Sequence, residues 1–556
     1  MPHTHNQGYL HPYWDGTTFL YGVGEKARTL SELAMIQLSA ELRRTKHWWT
    51  SYLDDEIREE WMSDNVDRVW DLSAPAGLVE TVLSPKQIQY VIDELAGYAL
   101  LRDEVNGCQV SCFERIWEST RPINSELRRH LLKELQVLRM EKQSSLTVNR
   151  STTDIIDPRM YCLVYGRTVV RHTSGDLLPQ PPPNTDTLTP DAYTISSRFA
   201  CIPTSFTISA SGTVPHAKAQ GYINDIDPSK TSLYSDIEAF VGVTIPLFEH
   251  VLTDLHRNNP IHQRITGSCK YTEWDEPEEP EHSDDDEGWL NYERELRQWA
   301  LLRPVKIPDI PESGYPGGIE KRKYHVSLRG RSVSLLVRVT DINLQPGAPA
   351  FPGTPWHVDG MRNEHIIACS IHCLSISNMS PLSVSFRMPV CSPKQFLPGD
   401  EGATLRTWGF RDGSPGVQYL GGAELTEGHG VAFPNFYQHR LSSASLVDAE
   451  QSGSMTLLML SLVDPDLPKS QVLTTSDVPP QPVHWVRRAV EESLDPRIPS
   501  EIVEDIFQNL EGLMSDGEAR TYADEMRKER EQFWMLHDQR WCCLPFDIWS
   551  ASMIAG

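Results

Sequence analysis

Two histidines and an aspartate are the residues of this 556-residue chain whose types and spacing could do chemistry. His357-Val358-Asp359 stands in TPWHVDGMRNEHI, and His439 follows 82 residues later in FPNFYQHRLS. Residues i and i+2 of an extended segment point to one side, so the imidazole and carboxylate of the triplet can reach one ion. A second imidazole from a later strand would give two nitrogens and one oxygen on one face of a metal. That donor set leaves three coordination positions open, the arrangement of non-haem Fe(II) oxygenases. The triplet alone is common. With 19 histidines and 76 acidic residues, chance supplies about two or three His-x-Asp/Glu (19 × 76/556), and a second one stands at His282-Ser283-Asp284. The weight of the first lies in its setting.

That setting is β-rich. Tyr324–Leu462 contains SVSLLVRVTDINL, HIIACSIHCLSI, LSVSFRM, HGVAFPNF and MTLLMLSLV, separated by Gly, Pro, Asn and Asp turns. Strands at such spacing predict a sandwich or jelly roll. The N-terminal third is helical in pattern. Ser84-Pro85 reads as cap and first-turn proline ahead of Ile88, Val91, Ile92, Leu95 and Ala99; Ser125 opens a second helix with Leu127, Leu131, Leu135 and Leu138 along one face. Helix is also predicted around Glu32–Arg58 and over Asp236–Leu255, where Pro246 should kink or interrupt it.

MYCLVYGRTVV and CIPTSFTISASG read as short β runs, with a proline-rich loop at Pro179–Pro190 between them. Helix returns in the last 60 or so residues, one segment starting at Pro499-Ser500 and another at ARTYADEMRKEREQFW. The expected fold class is α+β, a double-stranded β-helix (jelly-roll, cupin-like) core buttressed by N- and C-terminal helices. The expected organisation is a mostly helical region over 1–150, a mixed region with Pro-rich and acidic loops over 151–322, a metal-binding jelly-roll core over 323–470, and a helical region over 471–556.

Composition narrows the partners. Net charge is −25, and ten of those negative charges fall in one run without a basic residue, Glu273–Glu287. Such a run reads as a solvated loop, and the acidic balance argues against nucleic acid. No apolar stretch approaches the roughly 18 residues that cross a bilayer, and the N-terminus lacks a signal-peptide core. The ten cysteines form no zinc-type CxxC pairs. A cytoplasmic protein with reduced thiols and a small-molecule substrate is expected, without membrane or nucleic acid. There is no GxSxG elbow, Walker A loop or dinucleotide fingerprint in a strand–helix setting.

Two long blocks carry a resemblance. Trp356, His357, Val358, Asp359, Gly360, Met361, Asn363, Glu364, His365 and Ile366 form the first. Phe433, Pro434, Asn435, Gln438, His439, Arg440, Leu441 and Ser442, closing on Leu462-Val463-Asp464-Pro465, form the second. With DEIREEWMSD, YCLVYGR and YINDIDP they resemble a large, mainly fungal family catalogued as a domain of unknown function, over nearly the whole chain. That family is in turn similar to Fe(II)/2-oxoglutarate-dependent dioxygenases.

The resemblance implies His357, Asp359 and His439 as metal ligands and catalytic residues, with Fe(II) and 2-oxoglutarate as cofactors. Asp359 stands where the family usually has glutamate, and either carboxylate can bind iron. Met455 stands where the family's G-H-R-K-I-L pattern has an arginine of the kind that anchors the distal carboxylate of 2-oxoglutarate. A dianion needs a cation, so Arg387 in LSVSFR, or Arg338 in LLVRV, is expected to take over. Arg440, next to a ligand on a strand, should point away. His365 is read as supporting the pocket, His372 as a strand residue of core or surface, and Trp356 as pocket lining or packing. The function implied is an iron-dependent oxygenase acting on a small organic molecule, with specialised metabolism as the expected setting. The alternatives are an iron enzyme of the same fold working without 2-oxoglutarate, which Met455 motivates, and a non-catalytic jelly-roll scaffold.

Overall fold

The computed structural model describes residues 9–13, 24–142, 151–172, 175–184, 191–272, 276–282, 284–393, 396–493 and 500–549. Its main helices are α1 (Leu30–Leu42), α2 (Pro85–Leu101), α3 (Ser125–Lys142), α4 (Thr231–Leu255), α5 (Asp286–Leu302) and α6 (Asp516–His537). The strands that matter for the site are β1 (Thr152–Ile156), β2 (Thr204–Ile208), β3 (Ser332–Leu344), β4 (Ile366–Ser377), β5 (Ser383–Cys391), β6 (Val417–Glu424), β7 (Gly430–Pro434), β8 (Gln438–Leu441) and β9 (Gly453–Val463). The chain is a mixed α+β protein with predominantly antiparallel strands.

Two sheets face each other. The larger runs β2-β3-β9-β4-β7 through its middle, with β1 also pairing on β3 and short strands extending both ends. The smaller has β5 at its centre, with β6 on one side and β8 on the other. The pairings among these nine strands are antiparallel; the short segment Glu25–Lys26 joins β5 in parallel.

Sequence parity explains the packing. Along β9, Met455 and Leu457 enter the core between the sheets, whereas Leu458, Leu460 and Leu462 enter the core on the other face. A strand buried on both faces reads as a continuous apolar run, which is why MTLLMLSLV shows no alternation. Between the sheets, Ile371, Val431 and Phe433 meet Val384, Phe386 and Met388, with the Phe386 and Phe433 rings 4.9 Å apart. On the outer face, Leu335, Val337 and Val339 pack with Leu131, Leu135 and Leu138 of α3 and with Phe240, Val241 and Phe248 of α4. Fully buried Arg264 ties the helical layer together: its guanidinium bonds Glu94, Glu114 and Tyr98, and its N–H donates to Glu32.

Several local expectations meet their physical limits here. Ser84 does cap α2, in a reciprocal capping box with Gln87. Pro246, however, leaves α4 unbroken across 25 residues. Proline removes one N–H, a small loss for a helix seated on the sheet through Phe240, Val241, Ile245 and Phe248. The stretch Glu32–Arg58 is three helices rather than one, with His47 in the left-handed region (φ 59°) ahead of Trp48–Ser51. MYCLVYGRTVV gives only two short strands, Leu163–Val164 and Val169–Arg171. The acidic run does not stay a loop to its end: Asp285 caps α5 and Asp286 and Glu287 occupy its first turn, where anions suit the helix dipole. Residues 185–190 of the proline-rich segment, 273–275 and 283 of the acidic run, and Pro499 lie outside the described residues. Among the described residues no helix is long and apolar enough to cross a membrane.

Candidate metal centre

His357, Asp359 and His439 converge. Their ligand atoms all lie within 4.8 Å of one another. The two histidines face each other across a backbone bridge: His357 N–H donates to His439 O (3.1 Å) and His439 N–H to His357 O (2.9 Å). Their rings are 4.2 Å apart. His357 Nδ1 is hydrogen-bonded to the Pro355 carbonyl oxygen at 2.8 Å, so Nε2 is the atom turned to the site, 4.0 Å from Asp359 Oδ1. That separation is too long for a hydrogen bond. The three donors look at a common point without satisfying one another.

The turn after the triplet is built to hold Asp359. Gly360 adopts φ +70°, and a Cβ there would fall 2.7 Å from Ile366 Cδ1 and 2.8 Å from Glu364 Oε2, so a side chain would be strained and would displace both. Buried Asn435 clamps the loop to β4: its Oδ1 accepts from Asp359 N–H (2.8 Å), while Nδ2 donates to Asp359 O (2.8 Å) and Ile366 O (3.1 Å). Glu364 accepts from the N–H groups of Met361 and Cys201, both at 2.7 Å, and pairs with Arg530 at 3.0 Å. Tyr13 donates to the carbonyls of Asp359 and Gly360 (3.2 and 2.8 Å). From α6, Trp534 donates to Val358 O at 3.1 Å and lays its ring 4.7 Å from that of His357. Ser461 on β9 reaches Asp359 Oδ2 at 3.4 Å.

Electrostatics leave the donors ready for a cation. Burial lowers the pKa of His357, and burial together with His357 pushes His439 down to about 3, so both imidazoles are neutral at pH 7. Burial works against ionisation of Asp359, but His439, His357, a hydrogen bond from Cys369 and the charge of Arg338 together lower its pKa. Two neutral nitrogens and one ionised oxygen are what a divalent cation requires. His439 Nδ1 is buried without a hydrogen-bond partner. A second cluster, Asp103, Cys108 and His250, has donors equally close. There Asp103 Oδ2 already bonds His250 Nε2 at 3.0 Å and accepts from Asn106 Nδ2 at 2.7 Å. Its polar groups satisfy each other.

The two arginines expected to serve a cosubstrate part company. On β5, Phe386 stands opposite His439 and Arg387 opposite Gln438. Successive residues of a strand leave on opposite faces, so Arg387 turns away from the site. There it bonds Gln438 Oε1 at 2.7 Å, pairs with Asp538, and lies on the Trp356 ring at 4.7 Å. The expectation that Arg387 serves the iron face is corrected by this register. Arg440 flanks the same ring at 4.5 Å, so it points away as expected and Trp356 is packing. Arg338 instead lies on the inner face of β3. It stands opposite Met459, two residues from Ser461, and its charge bears on both His357 and Asp359.

Met455 is fully buried opposite Ile342. Six residues separate it from Ser461 along one strand, about 20 Å at 3.3–3.4 Å per residue. A side chain at 455 sits in the core and does not reach the site, so its identity carries no information about a cosubstrate. His365, in the left-handed region at φ 52°, is no part of the donor cluster, and His372 is a core residue of β4.

Sequence does not single out Ser461, Trp534 or Tyr13. Ser461 had a signal: on the face of MTLLMLSLV that carries Met455, Leu457 and Met459 it is the one polar residue. Trp534 and Tyr13 had none, because only tertiary folding brings α6 and the N-terminal segment to the loop.

The family models match most of the chain. Residues 85–489 match one described as a protein of unknown function (DUF4246), and residues 1–64 match the N-terminal domain of that family. No curated protein matches the sequence. Among solved structures, a Fe(II)/(alpha)ketoglutarate-dependent dioxygenase, TqaL, aligns at 10% identity and TM-score 0.16, over 34% of this chain and 55% of its own. EvdO2 from Micromonospora carbonacea var. aurantiaca, complexed with 2-oxoglutarate, aligns at 14% identity and TM-score 0.13, over 25% and 58%. The vicilin from Solanum melongena aligns at 12% identity and TM-score 0.13, over 42% and 58%. The chain thus spans a little over half the length of each. Likenesses of that size carry no argument about fold or activity.

Proposed function

The chain belongs to the DUF4246 family, and from that premise and the geometry of its metal centre we propose that it is a non-haem Fe(II)-dependent oxygenase. Its core is read as a double-stranded β-helix. The order β3-β9-β4-β7 facing β8-β5-β6, with His357 bridged onto β8, supports that reading. The observation that carries the proposal is the convergence of His357, Asp359 and His439 with no hydrogen bond among their donor atoms. A bound Fe(II) would supply dioxygen activation with a 2-oxo acid as reductant.

The protein's own residues do the rest. Neutral His357 and His439 and ionised Asp359 would hold the metal ion. Asn435 and Gly360 fix the carboxylate's approach, while Ser461 restrains its second oxygen. Trp534 shields His357 from bulk water. Arg338, inward-facing beside Ser461, is the cation for an acidic cosubstrate. Arg338 also lines a cleft of about 710 Å³ formed by β1, α3 and α6, which the three metal-centre residues do not line.

Anaerobic titration of the Fe(II) protein with 2-oxoglutarate tests the reading. A visible charge-transfer band, saturating at one equivalent per chain and missing from His439→Ala, is the expected result. Stoichiometric iron in the wild type with no band would overturn the cosubstrate assignment.

A further inference from the structure

Arg338 does not stand alone on the inner face. Asp154, on β1, accepts from its Nε (2.9 Å) and Nη2 (3.1 Å), a side-on bidentate pair. The same carboxylate also accepts from Thr340 Oγ1 and from Arg159 Nη2, so both its oxygens are doubly engaged. Arg159 is held in turn by Asp157, through Nε (2.8 Å) and Nη2 (3.0 Å). Asp154 therefore cannot swing away without breaking four hydrogen bonds. It fixes the plane of the Arg338 guanidinium.

A guanidinium carries five N–H groups along three edges. Asp154 takes the Nε/Nη2 edge. Nη1 makes no hydrogen bond to the described residues, so the end-on Nη1/Nη2 edge remains open, and the Arg338 side chain is 37% exposed and lines the cleft. Diagonal neighbours across adjacent strands stand about 7–8 Å apart, which puts the base of this side chain that far from Ser461, itself in contact with Asp359. A planar fork whose charge bears on both His357 and Asp359 can take a carboxylate bidentately.

We propose that Asp154 is a positioning residue that locks Arg338 so its end-on edge receives the distal carboxylate of a 2-oxo acid held at the metal centre. The inference rests on the Fe(II)/2-oxo acid reading and goes beyond it. β1 is then a functional strand, and the carboxylate's anchor comes from β3 and β1 rather than from β9, which leaves Met455 free to be core.

The test is calorimetric titration of the anaerobic Mn(II)-loaded full-length protein with 2-oxoglutarate and with 2-oxobutyrate, which lacks the distal carboxylate. The wild type should bind 2-oxoglutarate at least tenfold more tightly than 2-oxobutyrate. Asp154→Asn should lose that preference, its Kd for 2-oxoglutarate rising to that for 2-oxobutyrate, with the Kd for 2-oxobutyrate and for Mn(II) unchanged. Arg338→Lys keeps the charge but not the fork and should lose the preference too, which gives a reading even if Asp154→Asn fails to fold. Asp154→Glu should restore part of it. Wild-type preference retained in Asp154→Asn, or in Arg338→Lys where Asp154→Asn does not fold, overturns the inference alone. Equal weakening of both acids overturns it as well, because that is the mark of a merely structural role. A wild type that binds Mn(II) but neither acid removes the cosubstrate reading and this inference with it.

Discussion

His372 and His439 are the same residue in closely similar surroundings. Each lies on a strand, each is sealed from solvent, each has its pKa pushed down to about 3, and each leaves Nδ1 without a partner. What differs is the company. His372 looks out of the larger sheet onto α4, where Nε2 lies 3.4 Å from Thr244 Oγ1 and Phe240 meets the ring edge-on at 4.8 Å. Burial alone sets its pKa. His439 looks into the space between the sheets, where a second imidazole and a carboxylate come within 4.8 Å. A buried neutral histidine is therefore not a site. A site needs an anion nearby whose charge the imidazoles do not already neutralise through a hydrogen bond.

The largest effect on that contrast should come from Asn435, which serves the triad and not His372. Asn435→Ala removes the partner of the Asp359 N–H and of the Ile366 carbonyl, while Asp359 O keeps Tyr13, and each unsatisfied buried group costs about 1–3 kcal/mol. A loss of about 3 kcal/mol in urea unfolding is expected, together with weaker Mn(II) binding. A variant as stable as wild type would mean the clamp has no energetic role.

His372 contributes to a different property. Its folded pKa lies below its unfolded value, so its contribution is fully present above about pH 6.5 and is lost as pH falls toward 3. In that window the unfolded state binds the extra proton and stability rises with pH. Replacing it by leucine leaves Thr244 bonded to the Phe240 carbonyl at 3.0 Å and removes the titration. Between pH 7 and about pH 4.5, metal-free His372→Leu should lose roughly 2–3 kcal/mol less stability than wild type. Chemical denaturation at the two pH values measures this, and parallel losses in the two proteins would count against a neutral buried His372.

How far this contrast was legible beforehand depends on the range of the forces involved. A continuous apolar run marks MTLLMLSLV as a strand, and alternation marks LSVSFRM and the pair His357/Asp359, because those patterns are local. The capping box at Ser84 was local as well. VQYLGGAE was passed over as a strand, since Gly421 and Gly422 dilute its alternation. Arg387 was misassigned because parity says which residues share a face but not which face turns inward. Register with His439 decides that, and register is tertiary. Met455 misled for a related reason: a motif position implied a role that distance along β9 rules out. Trp534 and Asp154 come from elements far away in sequence, and nothing local marks them.

Met455 supplies the smallest effect. Met455→Leu preserves volume in a packed core and should cost less than about 1.5 kcal/mol, with 2-oxoglutarate affinity unaltered. A changed affinity would return position 455 to the site.

The most direct test of the metal centre is a calorimetric Mn(II) titration of wild type, His357→Ala, His439→Ala and His372→Leu, each first shown to be folded by circular dichroism. One site per chain is predicted for wild type and His372→Leu, with binding at least about a hundredfold weaker in the two alanine variants. Wild-type affinity in His357→Ala or His439→Ala, or its loss in His372→Leu, would contradict the assignment.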